Sequence, residues 1–240
     1  MVVAALVCLA HKYQVDYVRD AYLSRMKSCF CTDLKMWNGV HDAHGSAVMR
    51  YSNVDAITAV NIARLTGTNS MLPTALYLCC QLDVECLLNG SPRLGGTLEC
   101  LSRQDFVRCM NARQSLLTST VLEDLDFYIR SLQRGPKLHE HCQHEIDVIR
   151  REHLVGSLGL PPSEDALASE VPSYRASQKK LWWGMCAECA EAMGLDDQLR
   201  RTILWCKLPE LLALEAPAEW PEPPAENFRS TRIVPWGMEW

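Results

Sequence analysis

The chain has 240 residues, 48% of them hydrophobic and 22% charged, with 12 prolines and 12 glycines. That balance excludes a disordered or collagen-like polymer and allows one large or two small domains with a substantial core. A formal net charge of −5 offers no broad attraction for nucleic acid or an anionic membrane.

Residues 1–10 are apolar but lack the basic flank of a secretory signal, and the stripe Val3, Leu6, Ala10, Tyr13 runs on into a charged helix. No apolar run approaches the ~20 residues of a membrane span. The chain therefore reads as intracellular, cytoplasmic or nuclear. Val18, Ala21, Tyr22 and Met26 continue the opening helical hairpin, Leu34 and Trp37 close it, and the Gly/His-rich residues 38–46 read as a loop. Ser52-Asn53-Val54-Asp55 has the form of a capping box, in which serine serves the orphan amides and the acid answers three residues later. The helix it opens carries Ile57, Val60 and Leu65 and stops at Gly67. Ser70 then caps a helix with Leu72, Leu76, Cys79 and Leu82 on one face, antiparallel to its predecessor across a short turn.

Residues 89–97 hold three glycines and a proline and read as a loop. Ser102-Arg103-Gln104-Asp105 repeats the capping box and opens a helix with Phe106, Cys109 and Met110. Val121, Leu125, Tyr128 and Leu132 line a next helix, and Leu138, Cys142, Ile146 and Ile149 another. Residues 157–173 read as a linker. Two further helical patterns follow, 181–193 and 199–206, in a small lobe over 174–214. From 215 to 240 the text turns to proline, glutamate and tryptophan, and Trp220, Trp236 and Trp240 predict either a fold-back onto the bundle or a linear binding segment. No strand pair with hairpin chemistry and no fixed-period repeat is visible. The predicted fold class is all-α, a multi-helix bundle with a small C-terminal helical lobe.

Twelve cysteines scattered over apolar helix positions read as reduced thiols packed as small hydrophobes, in preference to a disulfide framework. One constellation has metal chemistry: Cys142 and His144, with Cys186-Ala187-Glu188-Cys189 some forty residues on. Zinc takes four soft or borderline ligands in a tetrahedron, and a CxxC supplies two of them from one turn. His139 is the alternative to His144. If 138–149 is one helix, however, Cys142 lies on its apolar stripe, and Cys186 and Cys189 fit an apolar face at i,i+3. Buried thiols are the preferred reading, with no cofactor, and structural zinc is the alternative. A redox role for the CxxC needs a strand before it and the helix N-terminus at its first cysteine, and here the pair reads as lying inside a helical stretch after Trp182-Trp183. The glycines of 90–96 lack the Lys-Ser/Thr of a phosphate loop. No catalytic constellation emerges, and the chain reads as a non-enzyme.

Several segments carry a family resemblance. Ala10-His11-Lys12-Tyr13-Gln14-Val15-Asp16 is similar to a turn near the end of a BTB/POZ domain of the mushroom-type fungal form. Ala59-Val60-Asn61-Ile62-Ala63-Arg64-Leu65-Thr66-Gly67 and Ser70-Met71-Leu72-Pro73-Thr74-Ala75-Leu76-Tyr77 resemble the BACK-like helical extension that follows such domains, and Leu101-Ser102 with Asp105 continues the match. Cys186-Ala187-Glu188-Cys189 and Trp205-Cys206-Lys207-Leu208-Pro209 resemble the closing segment. The resemblance implies an end-of-BTB hairpin over 1–37, a helical extension over 52–156, and the sheet-bearing first half of the BTB domain missing. It further implies a non-catalytic adaptor with a protein partner, a homodimer where that first half exists, and, as for some members, presentation of targets to a cullin-type ubiquitin ligase.

Overall fold

A computed structural model describes residues 2–93, 95–133, 142, 144, 165–167 and 186–224. Among the described residues eight α-helices have both ends defined, in chain order: α1 Val2–Lys12, α2 Asp16–Lys27, α3 Leu34–Ala43, α4 Asp55–Thr66, α5 Leu72–Gln81, α6 Val84–Asn89, α7 Arg103–Gln133 and α8 Ala187–Leu211. The all-α expectation holds.

At the centre lies α5. Leu72–Cys80 are all buried, so this helix is apolar all round and not on one face, as a helix packed on every side must be. It pairs with α4, which buries Ala56, Ile57, Ala59, Val60, Ile62 and Ala63. Gly67 ends α4 in the left-handed conformation at φ 66°, as expected of a helix-terminating glycine. The predicted Ser70 cap is absent: a 3-10 turn, Asn69–Met71, leads directly into α5.

Around this pair, α1 and α2 form an antiparallel hairpin with α1 against α4, while α7 packs on α5 and α8 on both. The stretch 38–46, expected as a loop, is helical as far as Ala43, because Trp37 and Val40 continue one buried face through Gly39. Asp33 caps the start of that helix by accepting from Met36 N at 2.7 Å.

Three other expectations are corrected. Residues 103–133 form one helix of 31 residues, since nothing from Asn111 to Thr120 is a glycine or proline that would break it. Residues 187–193 of the first expected pattern and all of 199–206 belong to a single helix from Ala187, because the lone Gly194 costs only about 1 kcal/mol in a helix interior. Lastly, 89–97 is not wholly loop: β1 Ser91–Pro92 pairs antiparallel with β2 Leu98–Glu99. That ladder is pinned to α4 by the buried Glu99 carboxylate, which accepts from Thr58 Oγ1 at 3.2 Å, Asn61 Nδ2 at 3.0 Å and Arg93 Nε at 3.1 Å.

Two segments read as peripheral enter the main core. Leu204, Trp205 and Leu208 of α8, with Leu212 at its C-cap, belong to the same buried cluster as Val7 and Ile57. Trp220 of the proline-rich tail stacks on Trp205 with ring centroids 5.0 Å apart and donates its Nε1–H to Trp205 O at 3.1 Å. The tail thus folds back at Trp220, while Trp236 and Trp240, like Trp182 and Trp183, lie outside the described residues. Within the stretch read as a linker, Ala166 and Leu167 are buried. Among the described residues no helix is long and apolar enough to cross a membrane.

Candidate metal centre

The sulfurs of Cys142, Cys186 and Cys189 all lie within 4.8 Å of one another. Three of the four residues singled out from spacing are therefore brought together, across forty-four positions of chain. The geometry has a local cause. Cys186 is not inside a helix, as expected, but is the N-cap of α8, with φ −71° and ψ 157°. An extended N-cap turns its side chain back over the first turn, so Cys189 N donates to Cys186 Sγ at 3.5 Å. From the other segment, Cys142 presents its sulfur to the same place and accepts from Cys186 N at 3.3 Å. Cys142 and Cys189 are buried and Cys186 is half-buried.

His144 does not join them. It is exposed, whereas Cys142 is buried, and both are helical. Two residues apart on a helix is a turn of about 200°, so the imidazole points away from the face that carries the thiol. The alternative, His139, lies outside the described residues. What this constellation supplies is three sulfur ligands at one point, next to two backbone N–H donors and the positive end of a helix dipole. That set suits a cation held by thiolates. The start of α8 at Ala187 also removes one ground on which the CxxC was set aside as a redox pair. The other, the strand ahead of it, falls on residues outside those described, and Cys189 is buried.

None of the twelve cysteines forms a disulfide. Cys29, Cys79, Cys80 and Cys109 are buried among apolar side chains, as expected of small hydrophobes. Cys79, Cys80 and Cys109 lie close enough to interact. Cys80 Sγ donates to the Cys109 carbonyl oxygen at 3.6 Å; the contact among the three thiols pulls the Cys109 pKa down, while that contact and burial push Cys79 and Cys80 up.

Two features carried no signal in the sequence. Tyr77, on the central helix, donates its hydroxyl to Asp165 Oδ1 at 2.5 Å and accepts from Leu167 N at 2.8 Å, and His41 Nε2 lies 3.4 Å from Asp165 Oδ2. Nothing local in the sequence could have paired residues about ninety positions apart. The other is the turn end of the α1–α2 hairpin, where Leu9, Tyr13 and Tyr17 are 52%, 67% and 80% exposed. Tyr13 was read there as part of the buried stripe. The helix ends at Lys12 and Gln14 adopts φ 55°, which turns the chain before Tyr13 can face inward. Near the start of α1, an open cleft of about 280 Å³ is lined by Val2, Val3, Met26, Phe30, Val48 and Tyr51, among others.

No protein-family model, curated protein or solved structure matches this chain.

Proposed function

We propose that this chain is a non-catalytic interaction protein of the adaptor type, as its resemblance to BTB/POZ proteins implies, and that it meets its partner through the turn end of the α1–α2 hairpin. The observation that carries the reading is the exposure of Leu9, Tyr13 and Tyr17 at one end of a packed hairpin. Tyrosine is enriched among the residues that dominate protein–protein binding energy, since a large ring is buried at low entropic cost while its hydroxyl stays satisfied. Lys12 lies 5.5 Å from the Tyr13 ring centroid, so the patch combines apolar area with positive charge.

The test uses the N-terminal domain of a cullin-type scaffold, with binding read by interferometry and self-association by sedimentation. Tyr13→Ser with Tyr17→Ser is expected to weaken cullin binding or dimerisation by tenfold or more, with the far-UV spectrum unchanged; a truncated hot-spot tyrosine costs about 2 kcal/mol. A wild-type chain that neither self-associates nor binds at about 0.1 mM, where even a ~5.5 kcal/mol contact registers, sinks the adaptor reading.

A further inference from the structure

We infer that Cys142, Cys186 and Cys189 bind one zinc ion as thiolates, closing a clasp between the segment around Cys142 and the N-terminus of α8. The clasp is independent of the hairpin surface, so either reading can fail without the other. Zinc–sulfur bonds of about 2.3 Å set tetrahedral sulfur–sulfur edges of roughly 3.8 Å. Sulfurs already within 4.8 Å of one another need only shift by about an ångström to meet that edge.

Three details separate this arrangement from chance packing of small hydrophobes. The first is the N-cap position of Cys186, where serine, threonine, aspartate and asparagine are the preferred residues. A cysteine there, followed by another at the third helical position, puts two sulfurs on one point. The second is the pair of N–H groups donating to Cys142 and Cys186 sulfurs, since such donors stabilise charge on a sulfur. The third is position: the two segments are forty-four residues apart, and a cross-link there shortens a long loop. The ion's fourth place falls to solvent, and not to His144, which is exposed and outside the sulfur cluster.

The binding step releases protons and changes no oxidation state: each thiol that ligates gives up one proton to solvent. Zinc is the fitting ion because sulfur ligands select soft or borderline metals over magnesium or calcium.

The full chain, purified under reducing conditions and dialysed against metal-free buffer, is expected to retain one zinc per chain by elemental analysis. His144→Ala and Cys86→Ser should keep it, and Cys189→Ser and Cys142→Ser should lose it. Cobalt(II) loaded on the wild-type chain should show sulfur-to-metal charge transfer and the intense visible bands of a tetrahedral site. That readout does not depend on any variant folding. The inference is overturned if the wild-type chain, even after incubation with excess zinc, holds none after dialysis. It is equally overturned if cobalt gives no sulfur charge transfer, or if folded Cys142→Ser and Cys189→Ser both retain the metal.

Discussion

Asp105 shows how one buried side chain can hold several elements. It closes the Ser102 capping box, with its own N–H donating to Ser102 Oγ at 3.0 Å, and it accepts from Arg64 at 2.7 Å and from Arg108 at 2.5 Å. Burial alone would raise its carboxyl. The hydrogen bond and charge of Arg64, with Ser102 and Arg108, outweigh burial and hold the pKa below the ordinary aspartate value. A carboxylate depressed in the folded state contributes stability that is fully present above its unfolded pKa, about 3.9, and is lost as pH falls through the lower folded value. Asp105→Asn should therefore cost about 2 kcal/mol near pH 7, a modest figure because Arg64 is partly exposed and screened. The gap between variant and wild type in urea melts should stay constant from about pH 5 to 7 and close below about pH 4. A gap that persists at pH 2.5 would mean the loss comes from packing.

Gly90 is a second residue with one permitted identity. Its φ is +81°, and a Cβ there would sit 2.5 Å from the Glu99 carbonyl oxygen. Gly90→Ala should cost about 2 kcal/mol or more, through both the left-handed backbone and the forced separation of β1 from β2. The loss should be local: hydrogen exchange should rise at Glu99 and Arg93 before it rises in α5.

At the scale of elements, the fold-back of the tail centres on Trp220, with Cys206 Sγ donating to Glu222 O at 3.4 Å beside it. Trp220 is buried by stacking on Trp205, whose own Nε1–H donates to Thr32 O at 3.0 Å. Truncating a buried tryptophan costs about 3 kcal/mol, so Trp220→Ala should lower the urea midpoint and expose residues 216–224 to proteolysis. If the midpoint does not move, the tail is not part of the core.

How far the elements could be read in the text depends on whether their signals are local. Period 3.6, the Ser102–Asp105 box and the Gly67 stop each act within one or two turns, and all appear where expected. The failures have the opposite cause. The helix read as new at Val121 is the continuation of α7, since no glycine or proline stands between Asn111 and Thr120 to end it. The Cys186 cap was hidden because cysteine is not a usual N-cap and because the apolar residues before it carry the helical period onward. β1 and β2 were invisible because two residues each, one of them Pro92, are too few to show alternation. In the candidate site, chemistry could be read at Cys142, Cys186 and Cys189, whereas the exclusion of His144 follows only from which side of its helix it occupies.

Over the whole molecule the decisive fact is the continuity of the core. Val7 of α1, Trp37 of α3, Tyr77 of α5, Cys109 of α7, Trp205 of α8 and Trp220 of the tail belong to one buried cluster. Trp37 lies 5.8 Å from Trp205 and 6.3 Å from Tyr77 by ring centroid. The ends of the described chain are thus joined through aromatic contacts, and Tyr77 also ties Asp165–Leu167 to the central helix. A core shared this way gives no element enough buried area of its own to survive the loss of the rest, which is the condition for cooperative unfolding. The fluorescence of Trp37, Trp205 and Trp220, which lie in that cluster, read in a chain whose other four tryptophans are replaced by phenylalanine, and the helical circular dichroism signal should then fall together in one urea transition. Tyr77→Phe keeps the ring and deletes the hydroxyl that serves both Asp165 and Leu167 N, so it should shift the transition by about 1–2 kcal/mol without splitting it. Were α8 and the tail a separate lobe, fluorescence would change first, leaving a helical plateau from α1 to α7. That two-step curve is the result that would contradict the shared core.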